Sequence, residues 1–173
     1  MSQEFRAQPS DVINQMPLSL CLANNFIEWG IRRDIPMTPL KLQKLSYLYY
    51  ARYMHAWGIV PFEDFFEKWP KGPVLRSMYE TLKIFGGEPI TRPLIDIRGK
   101  IITLTADNDD FRPVFGDVID RYGKWSSHEL IQLTHEGPPR GEYETAWKKA
   151  PGMGYNLHLH DIEEDGRVLF ERF

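Results

Sequence analysis

Five histidines and one cysteine stand near acids and hydroxyls along this 173-residue chain. His128-Glu129-Leu130-Ile131-Gln132 follows the zinc-binding pattern H-E-x-x-H until its last position, where Gln132 replaces the second imidazole. Two ligands on one helix face must sit at i and i+4, so the pair is incomplete. His135 shares the face of His128 only two turns away, beyond joint ligation. His158 and His160 would share a strand face and could join Glu163, but three loosely spaced groups do not define a metal site. Thr134 adjoins His135, and Ser126-Ser127 adjoin His128; sequence neighbours on a helix point in different directions and make no nucleophile–base pair. His135 reads instead as a cation at a helix C-terminus. Lys71-Gly72-Pro73 lacks the frame of a phosphate loop, and Pro73 removes a backbone donor. The pairs Asp109-Asp110 and Glu163-Glu164 read as solvated faces. These residues predict no catalytic constellation, no metal and no cofactor, hence a protein that is not an enzyme.

The basic side chains are arranged less evenly. At 100° per residue, Lys41, Lys44, Arg52 and His55 fall within roughly 60° of one another on one side of a helix. Lys68, Lys71 and Arg76 flank Trp69-Pro70. A solvated face whose lysine stems cover apolar neighbours explains such a stripe. So does a docking edge for an acidic protein surface or nucleic acid, because aromatics beside arginine dominate binding hot spots. Trp57, Trp69 and Tyr79 are the aromatic candidates.

The element that must carry this stripe is the longest helix, Thr38 to Trp57. Thr38 can cap it and Pro39 suits its first position. Leu42, Leu45, Tyr47, Leu48, Tyr49, Tyr50, Tyr53 and Met54 make it apolar nearly all round, the mark of a core helix. A first helix spans Pro17 to about Arg32 and is broken by Asp34-Ile35-Pro36. Phe65, Phe66 and Trp69 form a short extended piece ending in a turn at Lys71-Gly72-Pro73, after which Pro73 starts a helix that Gly86-Gly87 ends. Residues 93–105 alternate around Arg98-Gly99 like a small hairpin. Asp107–Trp125 reads as a fourth helix, Ser126-x-x-Glu129 as a capping box opening a fifth, and Gly141–Lys149 as a sixth. The tail fits either a strand over Asn156–His160 or a terminal helix through Gly166, with the helix preferred. The predicted fold is mainly α (α+β), a bundle of about six helices around a central hydrophobic helix with a small β-hairpin. Residues 1–173 form one domain, with a loose lead-in (1–15) and a variable tail (150–173).

Composition sets the outer limits. A chain of this length buries about 70% of the surface its unfolded form exposes, and 42% hydrophobic with 13% aromatic residues suits a packed domain. A net charge of −3 provides no global basic field, which disfavours indiscriminate nucleic-acid binding. Cys21, the single cysteine, excludes intramolecular disulfides and reads as a buried thiol. Neither a signal peptide nor a membrane-length apolar run is legible, so a cytoplasmic location without membrane contact is expected.

Longer patterns carry a family likeness. Ala23-Asn24-x-Phe26 is followed by Met37-Thr-Pro-Leu-Lys-Leu-Gln-Lys-Leu45. Then come Phe65-x-x-x-Trp69-x-x-Gly72-Pro-Val-x-x-x-x-Tyr79, Phe85-Gly-Gly, Leu130-x-x-Leu133-Thr-His135 and Ala146-Trp147. Over about Leu20 to Lys149 the chain resembles the Panacea domain of SocA-like antitoxins and phage-associated GepA-like proteins. It departs after Thr134-His135, where Gly137–Thr145 intervenes before the tryptophan. The resemblance implies a helical domain and a role as antitoxin in a bacterial or phage toxin–antitoxin system, including phage defence. Neutralisation would come by direct binding of a cognate toxin. The alternatives are a DNA-binding autoregulator or a proteolytic adaptor, which would add a protease or chaperone as partner. The expected toxin contacts are Lys41, Gln43, Lys44, Arg52, Trp69, Lys71, Arg76 and Tyr79. Thr38, Pro39, Leu42, Leu45, Gly72, Pro73, Thr134 and His135 are the family's structural signature. The toxin's identity and the oligomeric state stay open.

Overall fold

The computed structural model describes residues 2–4, 16–105, 109–139 and 142–171, for 2–4 the backbone alone. Its axis is the helix the composition singles out, here α2 (Pro39–Trp57). Thr38 Oγ1 accepts the Lys41 N–H at 3.2 Å, Pro39 occupies the first turn, and Gly58 closes the helix in the left-handed region at φ 70°. Leu42, Leu45, Tyr47, Leu48, Tyr49 and Tyr50 are all essentially buried. Tyr47 and Tyr50 set their rings edge-on to Phe66, with centroids 5.0 and 5.2 Å away.

Around α2 lie α1 (Leu18–Arg33), α3 (Arg76–Leu82), α4 (Phe111–Tyr122), α5 (Ser127–Glu136), α6 (Ala146–Lys149) and α7 (Leu159–Val168). The antiparallel pair β2 (Phe66–Trp69) and β3 (Gly72–Leu75) turns at Pro70-Lys71. The parallel pair is β1 (Ser2–Glu4) with β4 (Ile101–Thr103). The mainly helical reading with a small hairpin holds. No described helix is long and apolar enough to cross a membrane.

Several expectations about individual elements need correction. The hairpin lies at 66–75, not 93–105. In the latter stretch Asp96 Oδ1 accepts the N–H groups of Arg98 (2.8 Å) and Lys100 (2.9 Å), which curls the chain into a side-chain-capped turn. Ile101–Thr103 then pairs with residues 2–4 instead of with 93–97. Pro73 starts no helix; residues 72–75 are a strand, and the helix begins at Arg76. The fourth helix is shorter than expected, with Pro113 in its first turn and residues 106–108 outside the described ones. The Ser126/Glu129 capping box is present in both directions (2.7 and 3.2 Å). Of the expected helix 141–149 only Ala146–Lys149 is helical, and Tyr143 lies before it; residues 140–141 are not described. Of the lead-in, only residues 2–4 fall among the described ones.

The C-terminal stretch is both things its pattern allowed. Residues 154–157 run along the outer edge of β2, with Lys68 N–H donating to Tyr155 O (2.8 Å) and Leu157 N–H to Phe66 O (2.8 Å). The chain then enters α7, which packs on α2 more extensively than any other element does. Gly166 makes that contact possible. A Cβ there would stand 1.9 Å from the Ala51 carbonyl oxygen, so the two backbones touch where any side chain would separate them.

Side-chain amides stand in for missing strands. Asn25 donates to Leu104 O (3.1 Å) and accepts from Leu104 N–H (2.8 Å). Asn24 accepts from Leu94 N–H (2.7 Å) and donates to Leu94 O (2.9 Å) and Ile102 O (3.0 Å). These contacts satisfy backbone groups that two short strands leave unpaired. Cys21 is fully buried, and burial pushes its thiol up to about 12, as expected of an inert core cysteine.

Candidate functional site

The first turns of α2 hold the β2–β3 hairpin. Gln43 donates to Leu75 O at 3.0 Å and accepts from Leu75 N–H at 2.9 Å, so its amide pairs with β3 as a neighbouring strand would. One turn along, Lys44 Nζ donates to Pro73 O at 2.7 Å. β3 therefore has no open edge on this side. Thr38 Oγ1 also meets Ser127 Oγ at 3.2 Å, which joins the starts of α2 and α5.

This arrangement corrects the expected solvent-facing basic edge. Lys44 is completely buried and Lys41 is 5% exposed. The helical angles were right, but β3 and α5 pack against that side. Arg52, about 20 Å along the helix from Pro39, is half-buried. It pairs with Asp117 at 2.9 Å and lies over the Phe170 ring. It belongs to a different part of the surface from the hairpin.

Burial lowers the Lys44 ammonium to about 7, against 10.5 when solvated. The unfolded chain therefore holds a proton that the folded chain releases between these values, and stability rises with pH across that window. Below pH 7 the folded state carries a buried cation with one carbonyl for company. Lys44→Met is expected to be neutral or stabilising at pH 6, since it removes that charge at similar volume. Wild type should gain on the variant by about 1–2 kcal/mol between pH 7 and 9. Urea midpoints measured across pH 6–9 check this; parallel profiles would show that Lys44 does not titrate there.

Gly72 sits against the Lys44 side chain at φ 104°. A Cβ would lie 2.7 Å from Lys44 Cε and 3.0 Å from Thr134 Oγ1. The same Thr134 hydroxyl donates back to its own helix, at Leu130 O (3.0 Å) and Ile131 O (3.1 Å). His135 stacks on Trp147 with centroids 3.8 Å apart, and Trp147 Nε1 donates to Trp69 O at 2.8 Å. Burial, and then the neighbouring Lys44 charge, lower the His135 pKa. His135 is thus a neutral plate at the end of α5, and the expected terminal cation is corrected. Of the residues expected as a signature, Gly72, Pro73 and Thr134 meet at the hairpin together with Gln43 and Lys44, and His135 is linked to it through Trp147.

In front of the hairpin lies a groove of about 500 Å³ between the first turn of α2, the Pro70-Lys71 turn and α3, open at Gly86-Gly87. Gln43, Trp69, Lys71 and Tyr79 line it. Trp69 is fixed from several sides. Its Nε1 donates to Glu67 at 2.8 Å, its ring packs on Tyr79 (4.8 Å), and Arg76 covers it at 5.5 Å. Arg76 is oriented in turn by two hydrogen bonds to the Glu67 carboxylate (3.0 and 2.9 Å). Of the expected contact residues, then, Trp69, Lys71, Arg76 and Tyr79 gather here; Gln43 touches the groove wall but is buried and paired with Leu75, Lys41 and Lys44 turn inward, and Arg52 lies elsewhere.

A second polar centre went unread in the sequence. Asp165 on α7 is fully buried and accepts from Tyr47 OH and Tyr143 OH, each at 2.5 Å, and from Ala146 N–H (3.2 and 3.3 Å). Burial raises its carboxyl to about 6 in spite of those donors. Nothing in Asp161–Arg167 distinguishes Asp165 from the solvated acids beside it. The amides of Asn24 and Asn25 did carry a signal, since two adjacent polar residues interrupt an apolar helical run. Among the described residues no group of three or more His, Cys, Asp or Glu is placed to hold a metal ion.

The family model for the antitoxin SocA-like, Panacea domain matches residues 42–139, from within α2 to the loop after α5. Antitoxin SocA of Caulobacter vibrioides (strain NA1000 / CB15N) is 28% identical over 156 residues, which covers 88% of this chain and 80% of that protein. No solved structure matches the chain. The matched stretch contains the Gln43–Leu75 clamp, the Lys44–Gly72–Thr134 contact and most of the groove lining, and because it covers more than half of the sequence the chain belongs to the SocA-like antitoxin family with its Panacea domain.

Proposed function

We propose that this chain is an antitoxin that neutralises a cognate toxin by direct, non-catalytic binding through the face formed by the β2–β3 turn and α3. The observation that carries the reading is the preset Trp69–Tyr79–Arg76 cluster beside an uncovered apolar groove. Aromatic and arginine side chains locked before binding lose little freedom on docking, the property that concentrates affinity in a few residues. The buried polar groups support a binding role rather than a reaction. Gln43, Lys44 and Thr134 contact backbone carbonyls, and Asp165 is surrounded by tyrosine hydroxyls and a peptide N–H.

The test uses the product of the adjacent open reading frame. Co-expression with this chain should restore growth, and the two proteins should elute together in size-exclusion chromatography. Lys71→Glu combined with Arg76→Gln should abolish rescue while the melting temperature moves by only a few degrees, as expected for exposed sites. Lys44 is left unchanged because altering a buried amine would confound binding with folding. Undiminished rescue by the double variant would remove this face from the interface. Operator binding with a steep salt dependence, in the absence of a protein complex, would favour the autoregulator instead.

A further inference from the structure

We infer that the groove beside Trp69 receives a short linear segment of the partner protein in which a bulky apolar side chain is flanked by carboxylates; the identity of that partner as a toxin rests on the antitoxin reading above.

Shape and polarity specify the anchor. The groove's walls are apolar, built from Pro39, Leu40, Trp69, Val74, Tyr79 and Leu82, and its volume of about 500 Å³ suits one or two large side chains. Tyr79, which lines the groove, is 40% exposed, so the apolar lining reaches the surface.

Charge specifies the flanks. Two cations, Lys71 and Lys83, line the groove, and no acid does. Lys83 pairs with Glu80, but Lys71 has no carboxylate partner among the described residues. The first turn of α2, whose Pro39 and Leu40 line the groove, carries no acidic residue of its own. A segment entering here meets lysine side chains, of which Lys71 is unpaired among the described residues, and this rewards Asp or Glu and opposes Lys or Arg.

Backbone recognition is closed off. The free edge of β3 is already paired by Gln43 and that of β2 by residues 154–157, so the hairpin has no edge ready to add a strand. The segment is therefore read through its side chains. Gly86 and Gly87 have open space where a Cβ would stand, so the segment can leave the groove across them.

The experiment pans phage-displayed random linear peptides against the full chain. Enriched peptides should share a Leu, Phe or Trp within two or three positions of Asp or Glu. Lys71→Glu with Lys83→Glu should weaken them about tenfold or more, and exchanging the peptide's acids for lysines should restore binding to that double variant. Tyr79→Ala, checked by thermal melting, should weaken the same peptides without changing their charge preference. The inference is overturned by no enrichment, by a charge-blind consensus, or by equal binding to wild type and double variant. It is also overturned if the groove proves to be covered by a second copy of the chain, seen as a dimer that the double variant dissociates. Peptide binding as described with no complex to the adjacent gene product would remove the antitoxin reading and leave the groove assignment. A complex whose affinity the groove variants leave unchanged would do the reverse.

Discussion

Gly166→Ala is expected to lower stability by about 3 kcal/mol or more and to separate α7 from α2. The usual expectation runs the other way, since alanine favours a helix over glycine by about 1 kcal/mol. Here the added methyl would stand 1.9 Å from the Ala51 carbonyl oxygen, 2.4 Å from its carbon and 3.0 Å from the Arg52 nitrogen. All three are backbone atoms of the central helix, so no rotamer change relieves the clash. The helices must move apart, and the loss spreads to what α7 buries, including Ile162 and Leu169, both fully buried. Gly152→Ala is the control. Its Cβ would meet only the Tyr155 ring at 3.5 Å, an ordinary contact, and its effect should stay within about 0.5 kcal/mol. Urea unfolding followed by circular dichroism measures both variants. A Gly166→Ala protein as stable as wild type would show that α7 does not seat as described.

Asp165→Ala should cost about 2–3 kcal/mol at pH 7, because it deprives three donors of their acceptor. The Tyr47 hydroxyl is the severe case, being buried where water cannot replace the carboxylate. Tyr143→Phe removes one donor from a less buried site and should cost about 1 kcal/mol. The pH dependence distinguishes this centre from simple packing. Folded Asp165 keeps its proton to about pH 6, whereas the unfolded chain releases it near 3.8. Between those values the folded state binds more protons, so the wild-type contribution is largest near pH 4 and declines as pH rises to 6. The stability gap between wild type and Asp165→Ala should therefore narrow across that interval. A gap that is flat from pH 4 to 6 would mean that the carboxyl titrates normally.

Both predictions fall on residues 150–173, the stretch that reads as a tail. Its sequence alternates weakly, is rich in acids and contains three glycines, all features of a solvated end. In the fold one of those glycines, Gly166, touches the central helix and one of its acids lies at a buried junction of α2, α6 and α7. Local pattern could not reveal this, because Gly166 meets Ala51 and Asp165 meets Tyr47 across more than a hundred residues, and even the nearer donors Ala146 and Tyr143 lie 19 and 22 residues away.

The division runs along the same line elsewhere. Thr38 and Pro39 start α2, Ser126 and Glu129 start α5, and the apolar surround of α2 makes it the core, all through contacts within a few residues; the sequence alone determined these. The motifs around Gln43, Gly72 and Thr134 were legible as a family signature for the same reason, being contiguous runs. Their purpose was not legible. Helical angles placed Lys41 and Lys44 on one side of α2 but could not say whether water or another element occupied it. Tertiary packing placed β3 and α5 there, so Lys44 and Gln43 hold a hairpin from within while Trp69, Lys71, Arg76 and Tyr79 lie on its other side, at the groove. Hairpin placement was decided the same way: residues 93–105 alternate, yet the stretch that pairs is 66–75, whose edges Gln43 and residues 154–157 complete. Spacing along the chain fixes which direction a side chain leaves its helix, and only the long-range packing fixes what it meets.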